Sequence, residues 1–288
     1  MFRQIIVFTK SPSLESNIGL NNAAKHIGLK LSYYNPFGEL VWETSQKPIN
    51  LPFIPDPETL LLLRTSGVFF DDIDLHAAEH ISQSFGSALS APINSILNLR
   101  NKDQQTMLLS RLNIPIVETL LVRGELTMAQ LKSHEQWVLK SIRGNKGIGH
   151  QLLNQKELLE FWSSALLKND IRYLLQPYLP GREVRHLVLG KKSFFIEKLG
   201  SLDWKKNLAN CEFTNYMPTK EEEFHFKKVA SKIQKNLGLT TFATDFLLVN
   251  NKWKVLEVNY APGLVGAAKV FSEEIFKDFL NALLTGLR

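Results

Sequence analysis

The stretch Ala243 to Gly266, ATDFLLVNNKWKVLEVNYAPGLVG, constrains the fold of this chain more than any other. Two apolar runs, Phe246 to Val249 and Trp253 to Val258, flank the turn-prone Asn250-Asn251-Lys252, which is the pattern of a β-hairpin. Side chains alternate faces along a strand, so Glu257 and Asn259 point the same way. A three-residue loop, Asn250 to Lys252, sets Val249 opposite Trp253 and Asp245 opposite Glu257. A two-residue Asn250-Asn251 turn sets Leu256 opposite Asp245 and sends Glu257 to the other face, unless a bulge compensates. The three-residue loop is the expectation. Asp245, Glu257 and Asn259 then converge on one face of an otherwise apolar hairpin. Two carboxylates and an amide carbonyl on a rigid platform suit Mg²⁺, with Mn²⁺ as the alternative, and leave coordination positions for nucleotide phosphates. The competing reading keeps Asp245 and Glu257 as solvated strand-end residues. Buried acids, however, need a partner or a metal.

At 288 residues the chain is long enough for two domains, or for one domain with a lid. Its net charge of +6 points to acidic partners, a nucleotide or an acidic peptide. The basic residues are spread along the chain, so nucleic acid is not required. The single cysteine, Cys211, excludes an internal disulfide and a Cys-built metal site. Met1-Phe2-Arg3-Gln4 lacks the pattern of a signal peptide, and no apolar run approaches the ~18 residues of a membrane span. The expectation is a cytoplasmic protein without a membrane partner; a homo-oligomer stays open.

Residues 4–9 read as a buried strand, Asn17 to Ile27 as a helix stopped by Gly28, and Leu29 to Tyr34 as a second strand. Strand, helix, strand is a parallel βαβ unit. No GxGxxG follows the first strand, so the usual dinucleotide site is unsupported. Residues 36–58 form a surface excursion. Leu60 to Leu63 is another buried strand, followed by Arg64. Ligands in open α/β sheets gather at strand carboxyl ends, so Arg64 either meets an anionic substrate group or forms a salt bridge. Asp74 to Phe85 is an amphipathic helix with Asp74 as its cap. A domain boundary follows Pro92.

Asn101-Lys102-Asp103 opens a helix with Met107, Leu108 and Leu112 inward, and Ile116 to Val122 returns as a strand. Trp137 to Ile142 is an apolar strand interrupted by Lys140, and Arg143 to His150 reads RGNKGIGH. Its three glycines free the backbone to turn N–H groups toward a phosphate, although the loop matches neither the Walker pattern nor GxGxxG. A lysine inside a buried strand must find an anion or lose its charge, and a triphosphate fits beside this loop. Such a loop is also expected to be a lid. Gln155 to Lys168 is helical and residues 172–179 form a strand. Glu183 to Leu189 and Ser193 to Leu199 form a second hairpin around Gly190-Lys191-Lys192. Thr219 with Glu222 makes a capping box for a helix running to about Asn236, and Ser272 caps a closing helix with Ile275, Phe276, Phe279, Leu280 and Leu283 inward.

In their order and spacing these residues resemble the ATP-grasp superfamily, and within it the RimK-like glutamate ligases, from about Pro92 to Gly266. Lys102 resembles the first nucleotide lysine of the family. Lys140, with the loop Gly144, Asn145, Lys146, Gly147, Ile148 and Gly149, resembles the second lysine and its phosphate-covering loop. Gln176, Pro177, Tyr178 and Leu179 are similar to the adenine hinge, where the carbonyl of Pro177 and the N–H of Leu179 would read the base. Glu183 stands where the family places an acid near the ribose. Asp245, Glu257 and Asn259 match its metal platform.

The resemblance implies an α/β fold with α+β lobes: a Rossmann-like pre-ATP-grasp domain at 1–92, then a two-lobed ATP-grasp domain at 93–288. The nucleotide lobe would span about 101–180 and the metal-bearing lobe about 181–288. It implies ATP and Mg²⁺, and a carboxylate–amine ligase working through an acyl-phosphate. An amino acid such as glutamate would be added to a protein, peptide or small-molecule acceptor. Arg185, Lys205 and Asn207 would attend the acyl-phosphate. Around Asp203-Trp204-Lys205-Lys206-Asn207 the chain departs from its relatives, with Lys205 replacing an arginine and no Gly-Gly step following. The resemblance therefore bears more on the nucleotide half of the site than on the acid and amine joined. An ATP-grasp kinase and a non-catalytic nucleotide-binding module are the competing functions.

Overall fold

The computed structural model describes residues 2–38, 51–65, 72–131, 133–143, 149–168, 172–200 and 212–287. β1 (Gln4–Phe8), α1 (Glu15–His26) and β2 (Lys30–Tyr34) make the expected unit, with the two strands parallel. Gly28, at φ 74°, ends α1 in the left-handed region that lets the chain reverse into β2. β3 (Thr59–Leu63) pairs with the other edge of β1. After α2 (Ile73–Phe85), the short β4 (Ala88–Leu89) completes a parallel sheet of order β2-β1-β3-β4. All five residues of β3 are buried because helices cover both faces. Leu61 and Leu63 share a cluster with Leu75 and Ala78 of α2, whereas Leu60 and Leu62 share one with Leu20 and Ala24 of α1.

Asp74 does not cap α2. Asp72 holds the N-cap position, and Asp74 is fully buried in the first turn, where Arg100 and Thr65 donate to its carboxylate. α3 (Ile93–Arg100) and α4 (Lys102–Arg111) follow. Leu108 and Leu112 pack against the core as expected, but the buried positions of α4 are Gln105 and Leu109, and Met107 is 49% exposed. Gln105 earns its interior place through hydrogen bonds: its amide donates to the carbonyls of Leu99 and Val258 and accepts from the N–H of Val258. Residues 116–122 do not build the expected strand. Ile116 bridges to Val255 and Leu120 to Leu175, so the segment changes sheets within four residues and no ladder can propagate.

After α5 (Met128–Leu131), β5 (Gln136–Ser141) lies between β6 (Gln151–Asn154) and β7 (Tyr173–Pro177), antiparallel to both. α6 (Gln155–Leu167) begins in a capping box made by Asn154 and Glu157. Leu131, Trp137, Leu139, Leu158, Trp162 and Leu175 close a core private to this small sheet.

The third sheet is antiparallel, of order β10-β9-β8-β11-β12. Its strands are β8 (Glu183–Leu189), β9 (Lys192–Leu199), β10 (Glu212–Asn215), β11 (Thr241–Val249) and β12 (Lys252–Asn259). α7 (Lys220–Leu237), started by the expected Thr219–Glu222 box, packs Phe226, Val229 and Ile233 with Val184, Val188, Phe242 and Phe246. α8 (Val265–Val270) and α9 (Glu274–Gly286) serve the other face. There Phe276, Phe279 and Leu280 join Leu187, Leu189, Ile196 and Ala243 in one cluster with β1 and β3. Glu273 rather than Ser272 is the N-cap of α9, although the Ser272 hydroxyl still accepts from the N–H of Glu274. The molecule is mixed α/β, with one parallel and two antiparallel sheets. Among the described residues no helix is long and apolar enough to cross a membrane.

Candidate functional site

β11 and β12 are joined by two residues, not three. Val249 pairs with Lys252, and Asn250 and Asn251 stand at φ 48° and 58°. Asn tolerates the left-handed region, and a turn with two such residues matches the twist of the flanking strands. Left alone, this turn would misplace Glu257. A β-bulge restores the register: Phe246 pairs with Val255, but Asp245 pairs with Glu257, so Leu256 is the extra residue. Asp245 and Glu257 are direct neighbours, and Asn259 follows on β12 opposite Ala243.

Asp245 sits on a central strand, between Glu257 of β12 and Arg185 of β8. It is 2% exposed and wholly engaged. Arg185 donates Nε to Oδ1 at 2.7 Å and Nη2 to Oδ2 at 2.8 Å, while Lys198 Nζ lies 3.2 Å from Oδ2. The same Nζ is 3.4 Å from Glu183 Oε2. Burial pushes the Asp245 carboxyl up, but Arg185 and Lys198 more than offset it and hold it well below the usual carboxylate range. Glu257 accepts from Asn259 Nδ2 at 2.9 Å. Burial and Asp245 raise its pKa, and Lys102, Asn259 and Lys140 bring it below the ordinary value.

Lys102 is the first residue of α4, and its N–H donates to the carbonyl of Ile142 just beyond β5, tying the helix to the small sheet. Lys140 lies within β5. Burial lowers the pKa of both lysines, and Glu257 opposes the shift in each. Glu183 and Lys198 also act on Lys140, so residues of the small sheet and of the five-stranded sheet belong to one electrostatic cluster. Among the described residues no three His, Cys, Asp or Glu side chains gather as a metal cluster. The oxygen donors beside one another on this face are the carboxylates of Asp245 and Glu257 and the Asn259 amide, with the Glu183 carboxylate reached through Lys198.

Gln176 is buried and donates Nε2 to Thr119 Oγ1 at 2.9 Å. Pro177 pairs with Trp137, and Tyr178 donates its N–H to the carbonyl of Gln136, so the segment leading to Leu179 is anchored to β5. Gly149 adopts φ 76°. Gly144, Asn145, Lys146, Gly147, Ile148, Lys205 and Asn207 lie outside the described residues.

Two features of this region were not found in the sequence. A three-residue turn in the second hairpin sets Leu199 opposite Glu183; the turn has two residues and sets Lys198 there instead. Arg143 has no role in the sequence pattern beyond opening the glycine-rich loop. It donates Nε to Asn101 Oδ1 and Nη2 to Asp72 Oδ2, both at 2.7 Å, and Asp72 also accepts from Arg100. Separations of 42 and 71 residues left no local signal for that network.

The family of RimK-like ATP-grasp domains matches residues 99–283. A Haemophilus influenzae protein described as a probable alpha-L-glutamate ligase is 23% identical over 96% of this chain and 96% of its own. The RimK domain ATP-grasp protein of Sphaerobacter thermophilus superposes with a TM-score of 0.74 at 16% identity, covering 98% of this chain and 99% of that one. The ATP-grasp ligase PsnB, solved with a phosphomimetic variant of its minimal precursor, Mg and ADP, gives 0.71 at 15%, with 100% and 99% covered. The family match spans the described site from Lys102 to Asn259, and with it the chain belongs to the RimK-like ATP-grasp family and is an ATP-dependent ligase that forms carbon–nitrogen bonds.

Proposed function

We propose that this ligase joins a carboxylate to the amine of an amino acid, with glutamate the first candidate and a protein, peptide or small molecule as acceptor. The observation that carries the reading is the surplus of cations around the Asp245–Glu257 pair. Lys102, Lys140, Arg185 and Lys198 act on the carboxylates of Asp245, Glu257 and Glu183 within one cluster. Phosphoryl transfer asks the protein for positioning and charge neutralisation more than for covalent help. ATP would lie between the small sheet and the five-stranded sheet. Lys102, Lys140 and the loop 144–149 would face the phosphates, Gln176 to Leu179 the adenine, and Glu183 the ribose. Residues 1–92 would then be the N-terminal domain and 93–288 the ATP-grasp domain.

Asp245, Glu257 and Asn259 offer hard oxygen donors that fit Mg²⁺, the ion present with ADP in the PsnB complex. When bound there, the ion supplies positive charge to the phosphates. Arg185, which holds Asp245 in the nucleotide-free chain, would turn with Lys205 and Asn207 to the acyl-phosphate. The substrate carboxylate would take the γ-phosphoryl group of ATP and release ADP. The neutral amine would then attack the acyl carbon, and inorganic phosphate would leave as the amide forms and the amine gives up a proton to phosphate or water. Glutamate is favoured by the description of the Haemophilus relative, and a peptide acceptor by the precursor bound to PsnB.

The test is incubation with ATP, Mg²⁺, pooled amino acids and an acidic peptide, followed by mass spectrometry. ATP-dependent gain of an amide-linked residue is the expected result. A phosphorylated product without amide would replace the ligase with a kinase, and nucleotide binding without turnover would leave a binding module.

A further inference from the structure

Arg64, a half-buried arginine, is not used by the chemistry above. It follows β3, at the carboxyl end of the parallel sheet, and its N–H donates to the carbonyl of Phe8 at 3.2 Å, which sets it beside the end of β1. Nη2 donates to the carbonyl of Pro262 at 3.2 Å, three residues beyond Asn259. The guanidinium also stacks over the Phe279 ring at 5.7 Å. Nη1 is sealed from solvent, and among the described residues it has no hydrogen-bond partner and no carboxylate pairs with this side chain.

The other buried arginines behave differently. Arg100 is held by Asp72 and Asp74, and Arg185 by Asp245, and in each the partner more than offsets the cost of burial. For Arg64 burial wins and lowers the pKa to about 10, with only Tyr260 opposing it. A buried cation without a counter-ion costs stability, so its retention needs a reason beyond the fold. A second buried polar atom is tied to the end of β1. Asn17, 1% exposed at the start of α1, donates Nδ2 to Thr9 Oγ1 and to the carbonyl of Ser11, yet its Oδ1 has no partner. Thr9 follows Phe8, so the Asn17 amide is tied to the carboxyl end of β1, beside the strand end that Arg64 follows. That is where open parallel sheets bind ligands.

We propose that Arg64 anchors a free carboxylate of the substrate, namely the carboxylate that is not phosphorylated. The phosphorylated one must reach the cluster around Asp245 and Glu257, to which Arg64 does not belong. Arg64 stands at the edge of that region, joined to the segment that leaves β12. It is therefore a specificity residue for an acid bearing a second carboxylate, and it acts on that substrate rather than on the nucleotide. The inference deepens the ligase reading and rests on it.

The test compares the wild-type chain with Arg64→Met and Arg64→Lys. Melting is followed without ligand and with rising N-acetyl-L-glutamate, glutarate or N-acetyl-L-glutamate α-amide, acids without a free amine, each in the presence of Mg²⁺ and a non-hydrolysable ATP analogue. The wild type should be stabilised by at least one of the dicarboxylates at concentrations where Arg64→Met needs about ten- to hundredfold more, the loss of one charged hydrogen-bond pair. Arg64→Lys should recover part of the response. Both variants should respond to the ATP analogue alone as the wild type does. Arg64→Met should melt no lower than the wild type in the absence of acid. An Arg64→Met that melts lower and keeps the acid response makes the residue structural and overturns the proposal. A wild type that none of the three probes shifts overturns it as well. The ligase reading fails separately, by the absence of ATP-dependent amide in the mass-spectrometric assay.

Discussion

The two faces of the five-stranded sheet are built from the same strands and do opposite work. On one, Val184, His186, Phe195, Phe242 and Phe246 lie under Phe226 and its neighbours on α7, and the chemistry is packing. On the other, Leu187, Leu189, Ile196 and Ala243 pack under α9, and beyond them Arg185, Lys198, Asp245 and Glu257 meet, where the chemistry is charge. Adjacent residues such as Arg185 and His186 thus live in unlike environments, and the shift in pKa separates them: Arg185 is raised by Asp245 beyond what burial removes, whereas burial lowers His186 to about 3. The lesson is that a sheet can keep a wholly packed face behind one that carries a charged patch only if its register is fixed. Substitutions on the two faces should accordingly fail in different measurements.

The packing face should give the largest loss of stability. Phe226 is fully buried against Phe195, Phe246 and Trp253, so Phe226→Ala should cost about 3–5 kcal/mol. Chemical denaturation checks this, and the affinity for ATP in the folded fraction should be unchanged. A matching loss of ATP affinity would erase the division between the faces.

On the charged face Glu257→Gln removes one negative charge and preserves shape. It should lower kcat by about 10²–10³-fold, the scale for losing one preorganised electrostatic stabiliser, and still give a cooperative melt. Single-turnover amide formation measures the first and calorimetry the second. Lys140→Ala should have a smaller effect, weakening ATP binding by about 1–3 kcal/mol as a charged hydrogen bond is lost. Because burial lowers the pKa of Lys140, the unliganded chain should melt unchanged or higher. Titration calorimetry with an ATP analogue gives the first number. Unchanged affinity would remove Lys140 from the nucleotide site.

Both faces were partly legible in the sequence. Alternation along Glu183 to Leu189 and the apolar runs around Asn250 showed the hairpins, and Lys140 stood out because an apolar strand offers a lysine nothing local to pair with. Turn length was not legible. Both hairpins were read with three-residue turns, and both have two, since Gly190 at φ 61° and the Asn250-Asn251 pair all accept the left-handed region. In the β8–β9 hairpin the error hid Lys198. In the β11–β12 hairpin the bulge at Leu256 cancelled it, so Asp245 and Glu257 face each other for a reason that the apolar pattern does not contain. The Arg100–Asp72–Arg143 network was beyond reach for another cause: its partners come from distant segments, and each residue alone reads as an ordinary surface charge.

The smallest effect concerns the histidine beside Arg185. His186 is fully buried, stacked on Phe195 at 4.6 Å between centroids, with Nε2 2.9 Å from Ser193 Oγ. Burial, with a lesser contribution from Lys227, lowers its pKa from 6.5 to about 3. The folded chain therefore keeps this imidazole neutral where the unfolded chain protonates it. The stability that neutrality provides is complete above the unfolded value of 6.5 and is lost as the pH falls from there toward 3. Between pH 7 and pH 5.5 the loss from this one group should be about 1 kcal/mol. His186→Phe, which keeps the stack and cannot titrate, should flatten the fall in stability over that interval. Arg185→Met, one residue away on the other face, should leave the slope between pH 7 and pH 5.5 as it is, because no group it pairs with titrates there. Denaturation at the two pH values decides the matter: an unaltered slope in His186→Phe would mean that the imidazole reaches water, and that the packing face is not closed where His186 sits.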